Sequence, residues 1–393
     1  MQNMASDISV ATASSLLKYF SGREGDILSL TRDLVKLESP SGDESGSRAV
    51  VELLARTAEE IEGVFSIERI RSPGYGEHIL VRAFANSDKT LGKILLVGHT
   101  DTVHALGSLG KRPWRAEDDR IYAPGIFDMK ANCVLALEAL GACNAIERTP
   151  RREVVLLLTC DEEIGSESGR PLIEAAAREA SYALVLEPPA SGGRVKTGRK
   201  GTGIFAMQIE GRAAHAGLEP EKGASAIQEL ARQIERLHAL NDSKRGVNVN
   251  VGVVSGGTRS NVVAEDARAE IDMRFSTLSE GKRVESEILG SQPFDKRTRI
   301  HVSGGINRPP LERNETVLSL YAHARRIATI LGFELGEAQV GGASDGNFIA
   351  AMDIPVLDGL GIDGDGAHAA HEHIKVDDIA RRGALLAGLI LSL

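Results

Sequence analysis

Three runs, KILLVGH at 93–99, VVLLLT at 154–159 and YALVL at 182–186, carry apolar residues without the polar alternation of a half-solvated strand. Strands buried on both faces need helices on both faces, so these runs predict an α/β fold with a mostly parallel sheet. The chain between them fits: apolar patterns predict helices over about 129–144 and 168–179. Upstream, Ile27, Leu30, Leu34 and Leu37 mark one helix face that Pro40 and Gly42 stop, Val50, Leu53, Leu54 and Ile61 mark a second, and HILVRAF at 78–84 reads as a strand.

Near Gly198 the pattern changes. FAMQIEG, VNVNVGVV and DARAEIDMRF alternate apolar and polar residues, as strands with one wet face do, and a helix at about 222–240 lies between the first two. The segment 199–308 therefore reads as an inserted α+β unit with an antiparallel sheet, dividing a first domain into 1–198 and 309–393. In the last part a helical pattern at 317–331 and the strand IPVLD at 354–358 return to the pattern of the first domain.

A length of 393 residues suits two or three such units at roughly 150 residues each. Hydrophobic residues at 42% and charged residues at 26%, with no long apolar run, exclude a disordered chain and predict no membrane span. A net charge of −9, with nine Phe, one Trp and five Tyr, argues against a nucleic-acid surface, which needs basic patches and stacking rings. Cys133, Cys143 and Cys160 form no CxxC and cannot all pair, which suits a reducing compartment. The N-terminus lacks a basic start, an apolar core and a small-residue cleavage site, so a cytoplasmic protein is expected.

Ligands of open α/β sheets bind beyond the carboxyl ends of the strands, and here those ends are unusually polar. The first run leads into His99-Thr100-Asp101, the second into Asp161-Glu162-Glu163 and the third into Glu187-Pro188. The strand at 354–358 leads into a Gly/Asp loop ending at His368, and Asp128 opens a helix after Gly125. Imidazoles and carboxylates converging without thiolate suit a hydrolytic zinc or related divalent site. Adjacent acids such as Glu162 and Glu163 also need positive charge nearby.

The motifs GHTDTV (98–103), PGIFDMK (124–130), DEEIGS (161–166), LEP (186–188), GRAAHAG (211–217), SNVV (260–263), GGASDGN (341–347) and GAHAAHE (366–372) together resemble the M20 metallopeptidases, most closely the glutamate carboxypeptidase branch. The resemblance runs from about residue 25 to the end. It implies a zinc-peptidase α/β domain interrupted by a ferredoxin-like lid through which the chain forms a homodimer. It also implies two divalent ions per subunit, zinc with cobalt or manganese as alternatives, and a small peptide or amide substrate. Asp128 would bridge the ions, His99 and Glu187 would complete one position, and Glu163 and His368 the other. Glu162 would be the general base, and Asp101 would hold His99 in its metal-binding tautomer.

His215 in the lid would reach the partner subunit's site and stabilise an oxyanion. Asn261, Arg274 and Arg308 match positions that help hold substrate, with an arginine fork suited to a terminal carboxylate, and Ser344 is placed with them. Arg274 on its strand equally suits a structural ion pair. The segment after Asp128 reads MKANC where many members have KGG. The expected reaction is hydrolysis of an amide releasing a C-terminal glutamate, with N-acyl amino acid deacylation as the alternative.

Two rival motifs are present. Gly342-Ala343-Ser344-Asp345-Gly346 satisfies the GxSxG of serine hydrolases, with Asp363 or Asp365 and His368 following in the right order. It leaves His99 and the other converging acids unexplained. Gly359-Leu360-Gly361-Ile362-Asp363-Gly364 satisfies GxGxxG, but no amphipathic helix opens at its last glycine. A non-catalytic relative would have no use for Glu162. His78, His104, His238, His301, His323, His371 and His373 are read as structural.

Overall fold

The computed structural model describes residues 7–85 and 87–393. Along the chain come helices α1 (Val10–Lys36) and α2 (Glu44–Glu59), strands β1 (Val64–Ser72), β2 (Gly76–Ala83) and β3 (Lys93–His99), helix α3 (Ala131–Ala145), strand β4 (Val154–Thr159), helix α4 (Arg170–Ala177) and strand β5 (Ala180–Val185). There follow β6 (Gly201–Glu210), α5 (Ala226–His238), β7 (Asn248–Gly256), β8 (Asp266–Phe275), α6 (Leu278–Leu289) and β9 (Arg299–Arg308). The last elements are α7 (Glu315–Ile330), β10 (Val356–Leu357) and α8 (Ile379–Ser392).

The described residues fall into two compact units, one within 1–197, 313–340 and 344–393, the other of residues 198–312 and 341–343. The first is built on a six-stranded mixed sheet in the order β1-β2-β4-β3-β5-β10. β3 runs parallel to β4 and β5, and β5 to β10, while β1 and β2 join antiparallel at one edge. The unbroken apolar runs supply the buried centre: every residue of β4 and all of β3 after Lys93 are buried.

Helix α1 starts at an N-cap, Ser9, whose hydroxyl accepts the Thr12 N–H at 3.1 Å. Its buried face, Ala13, Leu16, Phe20, Ile27 and Leu34, extends the periodicity read from Ile27 onward by almost five turns toward the N-terminus. The helix ends where the buried Lys130 ammonium donates to the carbonyls of Leu34 (3.1 Å) and Leu37 (2.5 Å). Burial pushes the pKa of Lys130 down to about 8. A lysine at a helix C-terminus satisfies carbonyls left without intrahelical donors.

The second unit has the element order β-α-β-β-α-β and the sheet order β7-β8-β6-β9, all antiparallel, which is the split βαβ topology. Helix α5 covers the sheet with Ala226, Leu230, Gln233 and Leu237, at helical spacing after the N-cap Ser225. Among the described residues no helix is long and apolar enough to cross a membrane.

Candidate metal centre

Parallel pairing fixes where the polar strand ends fall. β3 pairs His99 with Thr159 of β4 and Val97 with Val185 of β5, so His99, the acids at 161–163 and Glu187 all emerge at one edge of the sheet. Asp128 reaches the same edge from a loop that turns at Gly125, where φ is +70°. A Cβ at Gly125 would lie 2.5 Å from Thr102 Cγ2, so this close passage requires glycine.

The two oxygens of Asp128 face different partners. Oδ1 lies 3.2 Å from His99 Nε2, which is also 3.5 Å from Glu187 Oε1. Oδ2 lies 3.3 Å from His368 Nε2, which is 3.1 Å from Glu163 Oε2. His99, Asp128 and Glu187 thus form one group whose donor atoms lie within 4.8 Å of one another, and Asp128, Glu163 and His368 form a second. His368 holds its place with φ +64°, a left-handed conformation uncommon for a residue with a side chain.

Electrostatics bind the cluster together. Burial works against a charge on His99, yet hydrogen bonds to Asp101, Asp128 and Glu187 hold its pKa well above the ordinary imidazole value. Hydrogen bonds to Asp128 and Glu163 lift His368 to about 10. Burial would raise Asp128, but the two imidazoles hold it well below the carboxylate range, whereas burial raises Glu163. Without cations, protons on these imidazoles offset the three crowded carboxylates; divalent cations would take the place of the protons on Nε2.

The donor set fits such cations on a second count. Glu163 Oε1 is buried without a hydrogen-bond partner, whereas its other oxygen faces His368. Two imidazoles and three carboxylates with no thiolate suit zinc, cobalt or manganese in an open hydrolytic site.

The surrounding residues orient the donors. His99 Nδ1 lies 3.0 Å from the main-chain carbonyl of Asp101 and 3.4 Å from its carboxylate. Both groups can only accept, so Nδ1 carries a proton, and Nε2, facing Asp128 and Glu187, is the nitrogen that would give up its own to bind a cation. The Asp101 carboxylate also accepts the N–H groups of Glu162 and Glu163, each at 3.2 Å, and the Ser41 hydroxyl at 2.6 Å.

A third group, His78, Cys160 and Asp161, also converges within 4.8 Å and was not singled out from sequence. His78 Nδ1 accepts the Cys160 N–H and its Nε2 faces the Ser168 hydroxyl, which donates to Asp161. Burial pushes the Cys160 thiol up and His78 down, so thiol and imidazole stay neutral in a network behind the acid-bearing turn.

In the second unit, His215 and Asn261 lie on paired segments: His215 bridges Val262, and the Asn261 carbonyl accepts the Ala216 N–H at 3.0 Å. His215 Nδ1 accepts the N–H groups of Gly217 and Leu218, which leaves Nε2 as the donor. Arg274 is held by Asp272 through contacts of 2.9–3.2 Å, the ion pair that the sequence left open. Arg308 is buried at the end of β9.

Ser344 lies in the first unit. A short strand, Glu337–Val340, and a short helix, Gly346–Ala350, do flank it. The serine is fully buried, however, and its hydroxyl donates to Asp358 Oδ2 at 2.7 Å, with no imidazole as partner.

A mixed α/β sheet whose carboxyl edge gathers two His/carboxylate trios around one shared aspartate defines a class, the metal-dependent hydrolases. Within it, the chain belongs to peptidase family M20/M25/M40, whose model matches residues 95–392. It is 28% identical to carboxypeptidase G2 from Pseudomonas sp. (strain RS-16), across 93% of this chain and 89% of that protein. It is 26% identical to succinyl-diaminopimelate desuccinylase from Bradyrhizobium sp. (strain BTAi1 / ATCC BAA-1182), across 93% of this chain and 98% of that one. The crystal structure of aminopeptidase PepT from Bacillus cereus ATCC 10987 superposes with a TM-score of 0.76 at 21% identity, covering 93% of this chain and 98% of the other.

Proposed function

We propose that the protein is a two-metal amidohydrolase that cleaves a small N-acylated amino acid or dipeptide with a free carboxylate, releasing glutamate or a similar amino acid. The observation that carries this reading is the divided Asp128 carboxylate, one oxygen toward His99 and Glu187 and the other toward His368 and Glu163. Two bound cations, zinc or in its place cobalt or manganese, would polarise an amide carbonyl and lower the pKa of water between them.

The chain's own groups supply the rest. Glu162, on the turn held by Asp101, accepts a proton from the attacking water and delivers it to the leaving nitrogen, so that water and amide become carboxylic acid and amine, which leave as carboxylate and ammonium. His215, with Nδ1 occupied, donates from Nε2 to the oxyanion. Arg308 and Asn261 hold the substrate carboxylate; Arg274 keeps its own aspartate. The inserted segment 199–308 acts as a dimerising lid. Support for a second copy comes from β7, an edge strand whose Val253 and Val254 are 54% and 56% exposed.

Deacylation of N-acyl amino acids is the second reading, favoured by the similarity to a desuccinylase over almost the full length of both chains. A panel of N-acyl amino acids and dipeptides, assayed with zinc, cobalt and manganese, separates the two. Preference for C-terminal glutamate, lost on Arg308→Ala, is the expected result. Equal cleavage of amides lacking a carboxylate overturns the carboxylate clamp.

A further inference from the structure

Glu372 lies four residues beyond His368 and is almost fully buried, at 2% exposure. Its Oε1 accepts the N–H groups of Phe127 at 2.9 Å and Asp128 at 3.0 Å. Its Oε2 accepts the Gly125 N–H at 2.8 Å and faces His104 Nε2 at 2.5 Å. The proton on that imidazole can be placed. Arg112 Nη2 lies 3.1 Å from His104 Nδ1, and a guanidinium only donates, so Nδ1 accepts and Nε2–H donates to Glu372. Four donors thus meet the four acceptor positions of one carboxylate. Arg112 also donates to the Ala369 carbonyl at 3.2 Å, beside His368.

Glu372 therefore ties together three segments that carry proposed ligands: the chain after His99, the loop presenting Asp128, and the loop of His368 itself. We infer that Glu372, oriented by His104 and Arg112, is a positioning residue that sets how tightly the site binds divalent metal, by fixing the Asp128 backbone against the His368 loop. This inference rests on the two-metal reading. A carboxylate is needed because a glutamine would turn its amide N–H groups toward donors.

The test is Co2+ titration of metal-free protein, followed by the visible absorption of bound Co2+, with melting of the metal-free form measured alongside. Glu372→Gln is expected to weaken Co2+ binding by about 10- to 100-fold, the usual effect of losing a partner that orients ligands. Glu372→Asp, which keeps the charge, is expected to fall between the variant and wild type. His104→Ala, which removes one donor of four, should weaken binding by a smaller factor and decides the matter if Glu372→Gln does not fold. Variants that melt at lower temperature yet bind Co2+ as wild type does would make the clamp merely structural and overturn the inference. A wild-type chain that takes up no Co2+ overturns the two-metal reading itself, and the inference with it.

Discussion

Asp101 Oδ1 accepts the backbone N–H of Glu162 at 3.2 Å, so the proposed general base is held by the residue two places beyond a proposed metal ligand, His99. The nearer acceptor for His99 Nδ1 is the Asp101 main-chain carbonyl, which no substitution of the side chain removes. Asp101→Asn should therefore keep its metal while losing roughly 10- to 100-fold in kcat/KM, because its amide leaves Glu162, Glu163 or Ser41 without an acceptor. Metal analysis beside kinetics checks this. Loss of metal in the variant would mean that the carboxylate, rather than the carbonyl, governs His99.

Glu162→Gln removes the proton acceptor and leaves the turn, whose N–H contacts to Asp101 are main-chain. The variant should fold, retain its metal and lose about 10²- to 10⁴-fold in kcat. If it binds one ion fewer than wild type, Glu162 is a ligand and its role exchanges with that of Glu163.

Much of this arrangement was legible in the sequence because buried strands write unbroken apolar runs, and the residues just beyond each run stand at the sheet edge. His99, Glu187 and the acids at 161–163 were found that way, Glu163 was singled out among those acids only by the family resemblance, and His99, Glu163 and Glu187 lie with Asp128 and His368 in two trios. The elements that escaped carry weaker signals. β1 is a half-exposed edge strand, VFSIERIRS, in which charged residues dilute the alternation. β9 contains Gly304-Gly305, where φ at Gly304 is +109° and a Cβ would fall 2.1 Å from the Ile204 carbonyl oxygen. That close approach demands glycine and erases the strand pattern. Glu372 and His104 escaped because Glu372 accepts backbone N–H groups more than 240 residues away along the chain, a pairing no local periodicity reports.

His323 offers a pH test away from the site. It is buried beside Ser392, whose hydroxyl is 2.7 Å from Nε2, and Arg326 lies 3.0 Å from Nδ1. Burial first and the Arg326 charge second hold its pKa below the ordinary value, against the opposing pull of Asp7. The native state therefore binds fewer protons than the unfolded chain below about pH 6.5, and stability falls as pH drops through that value. His323→Gln should remove this component, so wild type loses more stability than the variant between about pH 7 and 5. Parallel melting curves across that range would contradict the assignment.

The lid proposal is tested by subunit exchange. His215→Ala and Glu162→Gln are each expected to be inactive alone. If His215 serves the partner subunit, mixed dimers contain one intact site and regain part of the activity. No rescue, with exchange verified, would place His215 in its own subunit's site or in none.

The central claim is that Asp128 bridges two cations that catalysis requires. Metal content and amide hydrolysis should be measured on the same samples, for wild type and Asp128→Asn, after chelation and after stepwise return of zinc, cobalt or manganese. The account predicts that chelated wild type is inactive, that activity returns as the protein takes up two ions per chain, and that Asp128→Asn fails to hold the pair. Full activity in wild type stripped of metal, or unchanged two-ion uptake in Asp128→Asn, would contradict it.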